Sequence, residues 1–307
     1  RYPPTFHGGG EISVKLLAES LKKSDIYVDL LSFDGNTGEK VNGIQVTRKL
    51  LSPKSGTLKK LKMMFYIKKI SKKYDLIHAY NIFFYEYLGL LSKFFGVKVI
   101  GTLNNLPDIS LGETKNPFKM FKRKIFNNAR LSLMKNLNCL ICLSETLKQE
   151  YIKKGFNDEK LIVIPNMLDT KFLNSKKIAK ESKIINILFI GLLYKTKGVD
   201  VLIRAVNESY KKHKNIILRI IGDGPESESL KALCNELDLG DITDFKKNVD
   251  YGSIVSAYDK ADIFVHPGRW NEPFGRTILE AMARRLPILV SDIGAPPDIV
   301  EEKELIF

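Results

Sequence analysis

The sequence predicts an α/β protein made of two facing Rossmann-like domains with parallel sheets. Short apolar runs rich in β-branched residues alternate with helical patterns along all 307 residues, and such alternation is typical of βαβ units. The chain also exceeds the ~250–300 residues at which one hydrophobic core usually divides. A polar, Lys-rich stretch without clear periodicity, residues 174–182, is the predicted linker. The predicted domains are therefore residues 1–173 and 174–307.

In the first domain, short apolar runs predict strands and helical spacing of apolar residues predicts the helices between them. The strands are Ile26–Phe33, Leu76–Ala79, Val97–Thr102, Cys139–Leu143 and Leu161–Ile164. The helices are Glu11–Lys23, Leu58–Lys73, Phe84–Phe95, Phe118–Asn136 and Glu145–Lys154.

The second domain repeats the alternation. Its predicted strands are Ile185–Ile190, Ile216–Ile221, Ile263–His266 and Ile288–Ser291. Its predicted helices are Val199–His213, Glu226–Leu239, Ser253–Asp259 and Arg276–Arg284. Ligands of open parallel sheets bind beyond the carboxyl ends of the strands, so two such domains facing each other predict a cleft suited to a reaction with two substrates.

The composition excludes several classes of protein. Hydrophobic residues make up 44% of the chain and charged residues 27%, which is ordinary for a globular protein and excludes disordered and low-complexity chains. The best candidate for a membrane span, Ile82–Leu91, includes Glu86 and is far shorter than the ~18–20 residues that a span requires. No transmembrane segment is predicted.

The charge is unevenly distributed along the chain. Residues 1–175 hold 29 basic and 15 acidic side chains, and the remaining residues hold 20 of each. The whole net charge of +14 therefore lies in the first domain, which indicates an anionic partner such as a membrane surface or nucleic acid. A Lys-rich composition with solvated side chains explains the excess equally well.

The three cysteines, Cys139, Cys142 and Cys234, are too few for a disulfide scaffold and favour a reducing, cytoplasmic location. Cys139 and Cys142 form a C-x2-C pair, but residues three apart on a strand point to opposite faces. No second pair lies nearby, so no metal or redox site is predicted.

The densest group of polar residues begins at His266, where a predicted strand ends, and continues through a loop into the helix that follows Gly275. The N–H groups at a helix start are unpaired and carry the positive end of the dipole, so they can hold a phosphate. Glu272 in the loop and Glu280, one turn beyond Arg276, can each accept hydrogen bonds from sugar hydroxyls. The pattern indicates a ligand with both phosphate and hydroxyl groups.

The segment Glu272–Glu280, with seven residues between its two glutamates, resembles the E-x7-E motif of family 4 (group 1) glycosyltransferases. Further segments resemble motifs of that family in the same order along the chain. They are Gly8–Glu11 with Leu17, Ala18 and Leu21, Asp75–Ala79, Ser144–Glu145, Ile164–Asn166 with Asp169 and Phe172, Lys197–Gly198, Gly222–Pro225, Ala261–Pro267 and Gly294–Val300. Each short motif alone is weak, but the ordered set spans nearly the whole chain, which is identified as a member of the family.

The resemblance implies the GT-B fold, with an acceptor-side first domain and a second domain that binds the nucleotide sugar. It implies retaining transfer of a hexosyl group from a UDP- or GDP-sugar to a glycan or lipid-linked acceptor, without a cofactor or metal. The implied catalytic residues are Glu272, which touches the donor sugar, and Lys197, which neutralises the leaving diphosphate. Glu280 is implied to bind the ribose hydroxyls. The other implied donor-site residues are Phe274, Gly275 and Arg276 through their backbone amides, Gly9 and Gly10 in the glycine-rich loop, and His78.

The sequence departs from the family pattern at several points. Leu192 stands where the family has Arg, and Lys195 is the candidate substitute. Tyr80 stands where many members have a His that faces the donor sugar. Trp270 either shapes the sugar pocket or caps the edge of the core. His78 either contacts the sugar donor or is a histidine at a strand end whose hydrogen bonds are satisfied within the fold. No strand precedes the glycine-rich loop and members usually continue past Phe307, so we expect a chain clipped at both ends, with an incomplete second domain.

Three other kinds of protein are alternatives to this interpretation. A nucleic-acid-binding protein is compatible with the pI of about 9.4, but the basic residues are mostly Lys and no recognised module is present, so nucleic acid is not a predicted partner. A dehydrogenase would need G-x-G-x-x-G after a strand, which is missing. A nucleotide-sugar epimerase of the GT-B type stays as the alternative, and it would need no acceptor.

Two basic helices predict where the first domain touches a membrane. Both mix cations with apolar side chains, as segments at a lipid interface do. The first carries Lys59, Lys60, Lys62, Lys68, Lys69, Lys72 and Lys73 with Met63, Met64, Phe65 and Ile67, and the second carries Lys119, Lys122, Arg123, Lys124 and Arg130 with Phe118, Met120, Phe121 and Phe126. We expect reversible docking on the anionic inner face of the membrane. The alternative is ordinary helices whose apolar stripe packs on the sheet.

Overall fold

The computed structural model describes residues 9–33, 35, 37–49, 57–80, 84–108, 116–173, 183–247 and 253–307, and within the helix that starts at Thr57 it describes side chains from residue 60. The chain divides into two compact units, residues 1–167 and 168–307. The predicted linker, residues 174–182, lies outside the described residues.

Except for a run of three strands after its first helix, the described elements of the first unit alternate as the apolar pattern predicts. Its strands are β1 (Asp29–Ser32), β2 (Gly38–Val41), β3 (Ile44–Arg48), β4 (Ile77–Ala79), β5 (Val99–Leu103), β6 (Cys139–Cys142) and β7 (Leu161–Val163). Its helices are α1 (Gly9–Lys23), α2 (Thr57–Ser71), α3 (Tyr85–Phe95), α4 (Pro117–Met134) and α5 (Glu145–Ile152). Strands β4, β5, β6 and β7 form a parallel sheet in that order.

A second small sheet in the first unit, in the order β1–β3–β2, contains a hairpin that was not predicted. The hairpin turns at Asn42 and Gly43, whose φ angles of 51° and 75° are both positive. Asn-Gly is the strongest short signal for a two-residue hairpin turn. The signal is therefore present in the sequence, but the flanking strands β2 and β3 are short and largely polar.

The described elements of the second unit form a doubly wound parallel sheet. Its strands are β8 (Ile185–Ile190), β9 (Ile216–Ile221), β10 (Thr243–Lys246), β11 (Ile263–His266) and β12 (Ile288–Val290). Its helices are α6 (Val199–Lys212), α7 (Ser227–Glu236), α8 (Ile254–Asp259), α9 (Arg276–Ala283) and α10 (Pro296–Val300). The strand order is β10–β9–β8–β11–β12, and every pairing is parallel. Strand β10 and helix α10 were not predicted.

The core of the second unit lies on both faces of this sheet. Phe189 packs with buried residues of α6 and α7, whereas its neighbour Leu188 packs with Tyr258 of α8 and Ile278 of α9. Successive residues of a strand point to opposite faces, so β8 contributes to both halves of the core. The predicted α/β class with parallel sheets is confirmed.

The border between the units lies earlier than the predicted border at residues 173 and 174. Phe172 is fully buried in the core of the second unit, where its ring meets the ring of Tyr258 edge to face, with 5.8 Å between the centroids. Residues 168–173 therefore belong to the second unit, because packing and not composition decides the border.

None of the helices in the described parts of the chain is both long and apolar enough to cross a bilayer.

Candidate active site

Three loops of the second unit meet at the carboxyl ends of parallel strands, where ligands of such sheets bind. They follow β8, β11 and β12. The backbone N–H of Arg269 donates to the carbonyl of Thr196 at 2.8 Å, and the N–H of Ala295 donates to the carbonyl of Glu272 at 2.9 Å. The loop after β11 is thus held from both sides by its neighbours.

Two glycines allow these loops to approach one another. Gly198 has a φ of 65°, and a Cβ there would lie 1.9 Å from the carbonyl oxygen of Pro267. Gly294 has a φ of 81°, and a Cβ there would lie 2.4 Å from the backbone nitrogen of Glu272. Only glycine tolerates both this backbone conformation and this contact. The motifs around both glycines therefore serve to place Glu272.

One carboxylate oxygen of Glu272 accepts hydrogen bonds from three side chains. Its Oε2 accepts from Lys197 Nζ at 2.8 Å, from His266 Nε2 at 2.9 Å and from Trp270 Nε1 at 3.3 Å. Lys197 Nζ also lies 5.4 Å from the centroid of the Trp270 ring, within range of a cation–π contact. His266 is buried at the end of β11, so the sheet itself fixes one of the three donors.

This environment controls the ionisation of Glu272. Burial raises the pKa of the carboxyl, but the hydrogen bond and charge of His266 and the charge of Lys197 outweigh burial and lower the pKa to about 2. Glu272 is therefore ionised throughout the neutral range. A fixed carboxylate can orient a polar ligand by accepting its hydrogen bonds. The lysine paired with this carboxylate can also bind an incoming anion.

The second predicted glutamate, Glu280, lies on α9 and is 2% exposed. Its Oε2 accepts a hydrogen bond from the hydroxyl of Tyr258 at 2.8 Å. Burial raises the pKa of Glu280, while the Tyr258 hydrogen bond and the charges of Arg276 and Lys171 oppose that rise. The carboxyl is thus more easily protonated than an exposed glutamate.

Helix α9 begins directly after the loop that carries Glu272. Phe274 and Gly275 are buried and Arg276 is the first residue of the helix. The first N–H groups of a helix have no intrahelical acceptor and carry partial positive charge. The structure therefore places Phe274, Gly275 and Arg276 at a helix start that suits an anion.

The predicted site residues of the first unit lie at the carboxyl end of its own parallel sheet. Gly9 and Gly10 begin α1, and Gly8 lies outside the described residues. His78, near the end of β4, is 2.8 Å from the hydroxyl of Thr102, and burial lowers the pKa of its imidazole. His78 is thus hydrogen-bonded within its own sheet.

Sequence profiles of two glycosyltransferase families match this chain. The profile "Glycosyltransferase Family 4" matches residues 7–172, and the profile "Glycosyl transferases group 1" matches residues 170–307. The chain belongs to glycosyltransferase family 4.

Similar proteins agree with this assignment. An uncharacterized glycosyltransferase of Methanocaldococcus jannaschii is 28% identical over an alignment of 327 residues, gaps included, which covers 98% of this chain and 81% of that protein. The gpi3 subunit of phosphatidylinositol N-acetylglucosaminyltransferase of Schizosaccharomyces pombe is 26% identical over 168 residues, 54% of this chain and 37% of that subunit. The crystal structure of Anabaena HepE in complex with UDP and glucose superposes with a TM-score of 0.73 at 18% identity, over 98% of this chain and 82% of that one. The glycosyltransferase therefore has the GT-B fold.

The structure adds residues to the site of this glycosyltransferase that sequence reasoning left open or missed. His266, which begins the polar segment, and Trp270, whose role the sequence left open, both donate to Glu272. Tyr258, which was missed, donates to Glu280. Its signal is faint, because Tyr258 lies on a separate short helix and meets Glu280 only through tertiary packing.

In the first unit of the glycosyltransferase, Asn166 belongs to one of the family-like motifs but was not predicted as a site residue. Its Oδ1 accepts from Ser13 Oγ of α1 at 2.9 Å and from the Tyr80 hydroxyl at 3.3 Å. Asn166 thus joins the glycine-rich helix start to the residue after β4. The Tyr80 hydroxyl takes part in this contact, which gives a structural role to the residue that replaces the family histidine.

The position of the missing arginine is exposed. Leu192 follows β8 with its side chain 54% exposed. Lys195, the candidate substitute, lies in the same loop and is exposed as well. Lys197 is the cation of this loop that contacts Glu272.

The cysteines do not contribute to this site. Cys139 and Cys142 lie on β6 as predicted, and burial raises the pKa of the Cys142 thiol to about 12. In the parts of the chain that the structure describes, no group of three or more His, Cys, Asp or Glu side chains is placed to hold a metal ion.

Proposed function

We propose that this glycosyltransferase moves a hexosyl group from a UDP- or GDP-sugar to a glycan or lipid-linked acceptor, with retention of anomeric configuration and without a metal ion. The observation that carries the proposal is the cluster of Lys197, His266 and Glu272 beside the start of α9, with Glu280 buried on the same helix. The second unit would bind the nucleotide sugar and the first unit would contribute the acceptor contacts.

The chemistry of the leaving group explains the role of Lys197. A departing nucleoside diphosphate gains negative charge as the glycosidic bond breaks. Lys197 has three N–H donors, so its ammonium can keep Glu272 and still donate to a phosphate oxygen. Together with the helix start at Arg276, it stabilises the developing charge, and a group that acts mainly in the transition state raises turnover.

Glu272 and Glu280 would then divide the rest of the donor. Glu272 is ionised and held in place by three donors, so it can accept hydroxyl hydrogen bonds from the donor sugar. Glu280 would accept the ribose hydroxyls. Anabaena HepE, which shares the fold, was crystallised in complex with UDP and glucose, and this supports a nucleotide-sugar donor.

One surface of the first unit supports a lipid-linked acceptor. In the amino-terminal half of α4 every residue from Pro117 to Phe126 is exposed, including Phe118, Phe121 and Ile125. Residues 118, 121 and 125 share one face of the helix, and buried Asn127 lies about half a turn away from Phe118. The face of α4 opposite its buried residues therefore carries apolar side chains as well.

The charges on α4 support docking of this face on an anionic lipid bilayer. Lys119, Lys122, Arg123 and Lys124 are exposed beside the aromatic residues, and the helix contains no acidic residue. Arg130, counted with these cations in the sequence, is buried and donates to Asn127 and to the carbonyl of Pro107. A lipid-linked acceptor would then be within reach, as the name of the Schizosaccharomyces pombe relative suggests for that protein.

The proposal is tested first with nucleotides. A thermal-shift panel of UDP-, GDP- and ADP-sugars identifies the donor, and NMR of the product reports its anomeric configuration. We expect one nucleotide class to stabilise the protein and the product to keep the donor configuration. Turnover of the nucleotide sugar in the absence of any acceptor, with an altered sugar and no hydrolysis, would instead favour an epimerase.

Two substitutions separate binding from chemistry. Glu280→Ala should weaken nucleotide-sugar binding by about 1.5–3 kcal/mol, the usual value for hydrogen bonds to a charged group. Lys197→Ala should mainly lower kcat, because its interaction strengthens as charge develops on the leaving group. Calorimetry and steady-state kinetics measure both. Parent-like binding and turnover in both variants would contradict the proposed site.

A further inference from the structure

A buried contact between a phenol and a carboxylate joins helices α8 and α9. The hydroxyl of Tyr258 lies 2.8 Å from Glu280 Oε2 and 3.4 Å from the carbonyl oxygen of Thr277. The hydroxyl has one proton, which goes to the nearer and charged acceptor. Tyr258 is fully buried, so water does not replace this donor when it is removed.

The position of Tyr258 is fixed by contacts that do not involve Glu280. Its ring packs against Phe172 and Phe264, each with 5.8 Å between the ring centroids. The next residue, Asp259, forms a buried ion pair with Arg284 of the segment after α9, and Arg284 also donates to the carbonyl of Phe172 at 2.8 Å. The hydroxyl is therefore presented to Glu280 by a rigid frame.

We propose that Tyr258 is a positioning residue of the nucleotide site, whose hydroxyl holds the Glu280 carboxylate in the orientation that accepts the ribose hydroxyls. This inference rests on the proposed role of Glu280 in nucleotide binding. A carboxylate offers about four lone-pair sites. Tyr258 occupies one of them on Oε2, and the remaining acceptor capacity suffices for two ribose hydroxyls.

The same contact favours the ionised form of Glu280. The titratable and charged groups that face this carboxyl are Tyr258, Arg276, Lys171 and Asp169. Burial raises the pKa of Glu280, and the Tyr258 hydrogen bond is the largest of the contributions that lower it. Without that hydroxyl the pKa of Glu280 rises further. Because a protonated carboxyl has less acceptor capacity, nucleotide affinity then falls at a higher pH than in the parent.

The experiment compares four full-length proteins by titration calorimetry. They are the parent, Tyr258→Phe, Glu280→Gln and the matched control Tyr151→Phe, which removes another buried phenol whose hydroxyl donates to the carbonyl of Asn105 at 3.0 Å. The probes are UDP, GDP and ADP, and the tightest binder is titrated from about pH 5 to about pH 8. Thermal melts at each pH confirm that every protein is folded.

We expect Tyr258→Phe to bind the nucleotide about tenfold more weakly at the upper end of this range, and its affinity to fall at a higher pH than that of the parent. Glu280→Gln should bind weakly without this acid dependence, and Tyr151→Phe should match the parent. A weak Glu280→Gln beside a Tyr258→Phe with the parent's pH midpoint would overturn the inference and leave the proposed function intact. Parent-like binding by Glu280→Gln, or no binding of any probe by the parent, would overturn both.

Discussion

At the scale of single residues, Glu272, which is half-buried, and Glu280, which is buried, lie in opposite electrostatic environments. Glu272 has two cationic or polar donors within 3 Å of one oxygen, and its pKa is lowered to about 2. Glu280 has one neutral donor, and its pKa is raised. The first carboxylate is ionised at every physiological pH, whereas the second is more easily protonated than an exposed glutamate. In the proposed function, the first would contact the donor sugar and the second would make a pH-dependent contact to the nucleotide.

The low pKa of Glu272 predicts a contribution to stability that depends on pH. Its pKa is 4.5 as a free side chain and about 2 when folded, so the ionised form stabilises the folded state above about pH 4.5 by roughly 3 kcal/mol. The contribution disappears as the pH falls from 4.5 to 2. Glu272→Gln should therefore lower the free energy of unfolding at pH 7, and the difference from the parent should shrink in acid. Urea titrations at several pH values measure it.

A matched control is Glu228→Gln in the same unit. Glu228 pairs with Lys231 at 2.9 Å on the surface of α7, and both side chains are exposed. Exposed pairs of this kind contribute little to stability. We expect Glu228→Gln to resemble the parent at every pH. If the Glu272→Gln protein is as stable as the parent at pH 7, the hydrogen bonds and charges around Glu272 do not contribute the expected free energy to folding.

The sequence was informative about Glu272 and Glu280 because both lie in one short segment whose spacing is visible. It was uninformative about Tyr258, because 22 positions separate it from Glu280 and the contact depends on how α8 packs on α9. His266 and Trp270 lie close to Glu272 in the sequence. That both of them and Lys197 donate to a single oxygen of Glu272 follows only from the loop geometry.

At the scale of elements, α2 and α4 looked alike in the sequence and differ in the structure. Met63, Met64 and Ile67 of α2 are buried, which leaves Phe65 exposed among them. The expectation that Met63, Met64 and Ile67 contact lipid is therefore wrong, since they pack in the core, whereas for Phe65 it stays a prediction. In α4 the whole amino-terminal half, residues 117–126, is exposed, and Phe118, Phe121 and Ile125 are therefore not packed in the core. Counting apolar residues could not separate these cases, because exposure depends on which part of each helix packs against its neighbours.

The outward face of α4 predicts binding to anionic vesicles. The double substitution Phe118→Ser and Phe121→Ser should weaken vesicle binding by about tenfold or more, since a Phe side chain buried in the bilayer contributes roughly 1.5–3 kcal/mol. Replacing Lys119, Lys122 and Lys124 with Glu should abolish binding at low salt, because each cation near such a membrane is worth about 1 kcal/mol. Co-sedimentation with vesicles of phosphatidylserine and phosphatidylcholine measures both effects.

Helix α2 supplies the matched control for this experiment. Phe65→Ser removes an exposed phenylalanine from a basic helix in which Met63, Met64 and Ile67 are buried, so we expect little change in vesicle binding. Reversing the charges of the Lys68–Lys73 cluster should have a smaller effect than reversing those of α4. Equal sedimentation of the parent with neutral and anionic vesicles, or an equal loss in Phe65→Ser, would remove α4 as the docking element.

At the scale of the whole molecule, the alternation of strands and helices predicted the fold well. Each parallel strand of the two larger sheets, except β10, was predicted within a few residues of its position. Strand β10 was missed because its sequence, Thr-Asp-Phe-Lys, lacks an apolar run at the sheet edge. The border between the units also could not be predicted, since nothing in the composition indicates that Phe172 packs against Tyr258.

The distribution of charge over the molecule leads to the last prediction, which concerns metal dependence. A diphosphate leaving group needs positive charge, and the second unit, with its 20 basic and 20 acidic residues after position 175, offers that charge locally through Lys197 and the start of α9. If these groups suffice, transfer should continue at the parent rate after dialysis against EDTA, and added Mg²⁺ should change kcat by less than about twofold. The variant Lys197→Ala makes the test more decisive, because it removes the lysine proposed to substitute for a metal ion. Rescue of Lys197→Ala by Mg²⁺, with the parent indifferent to it, would assign to Lys197 the charge that a metal supplies elsewhere. Loss of parent activity in EDTA, restored by Mg²⁺ or Mn²⁺, would count against the assignment and make the lysine an auxiliary contact.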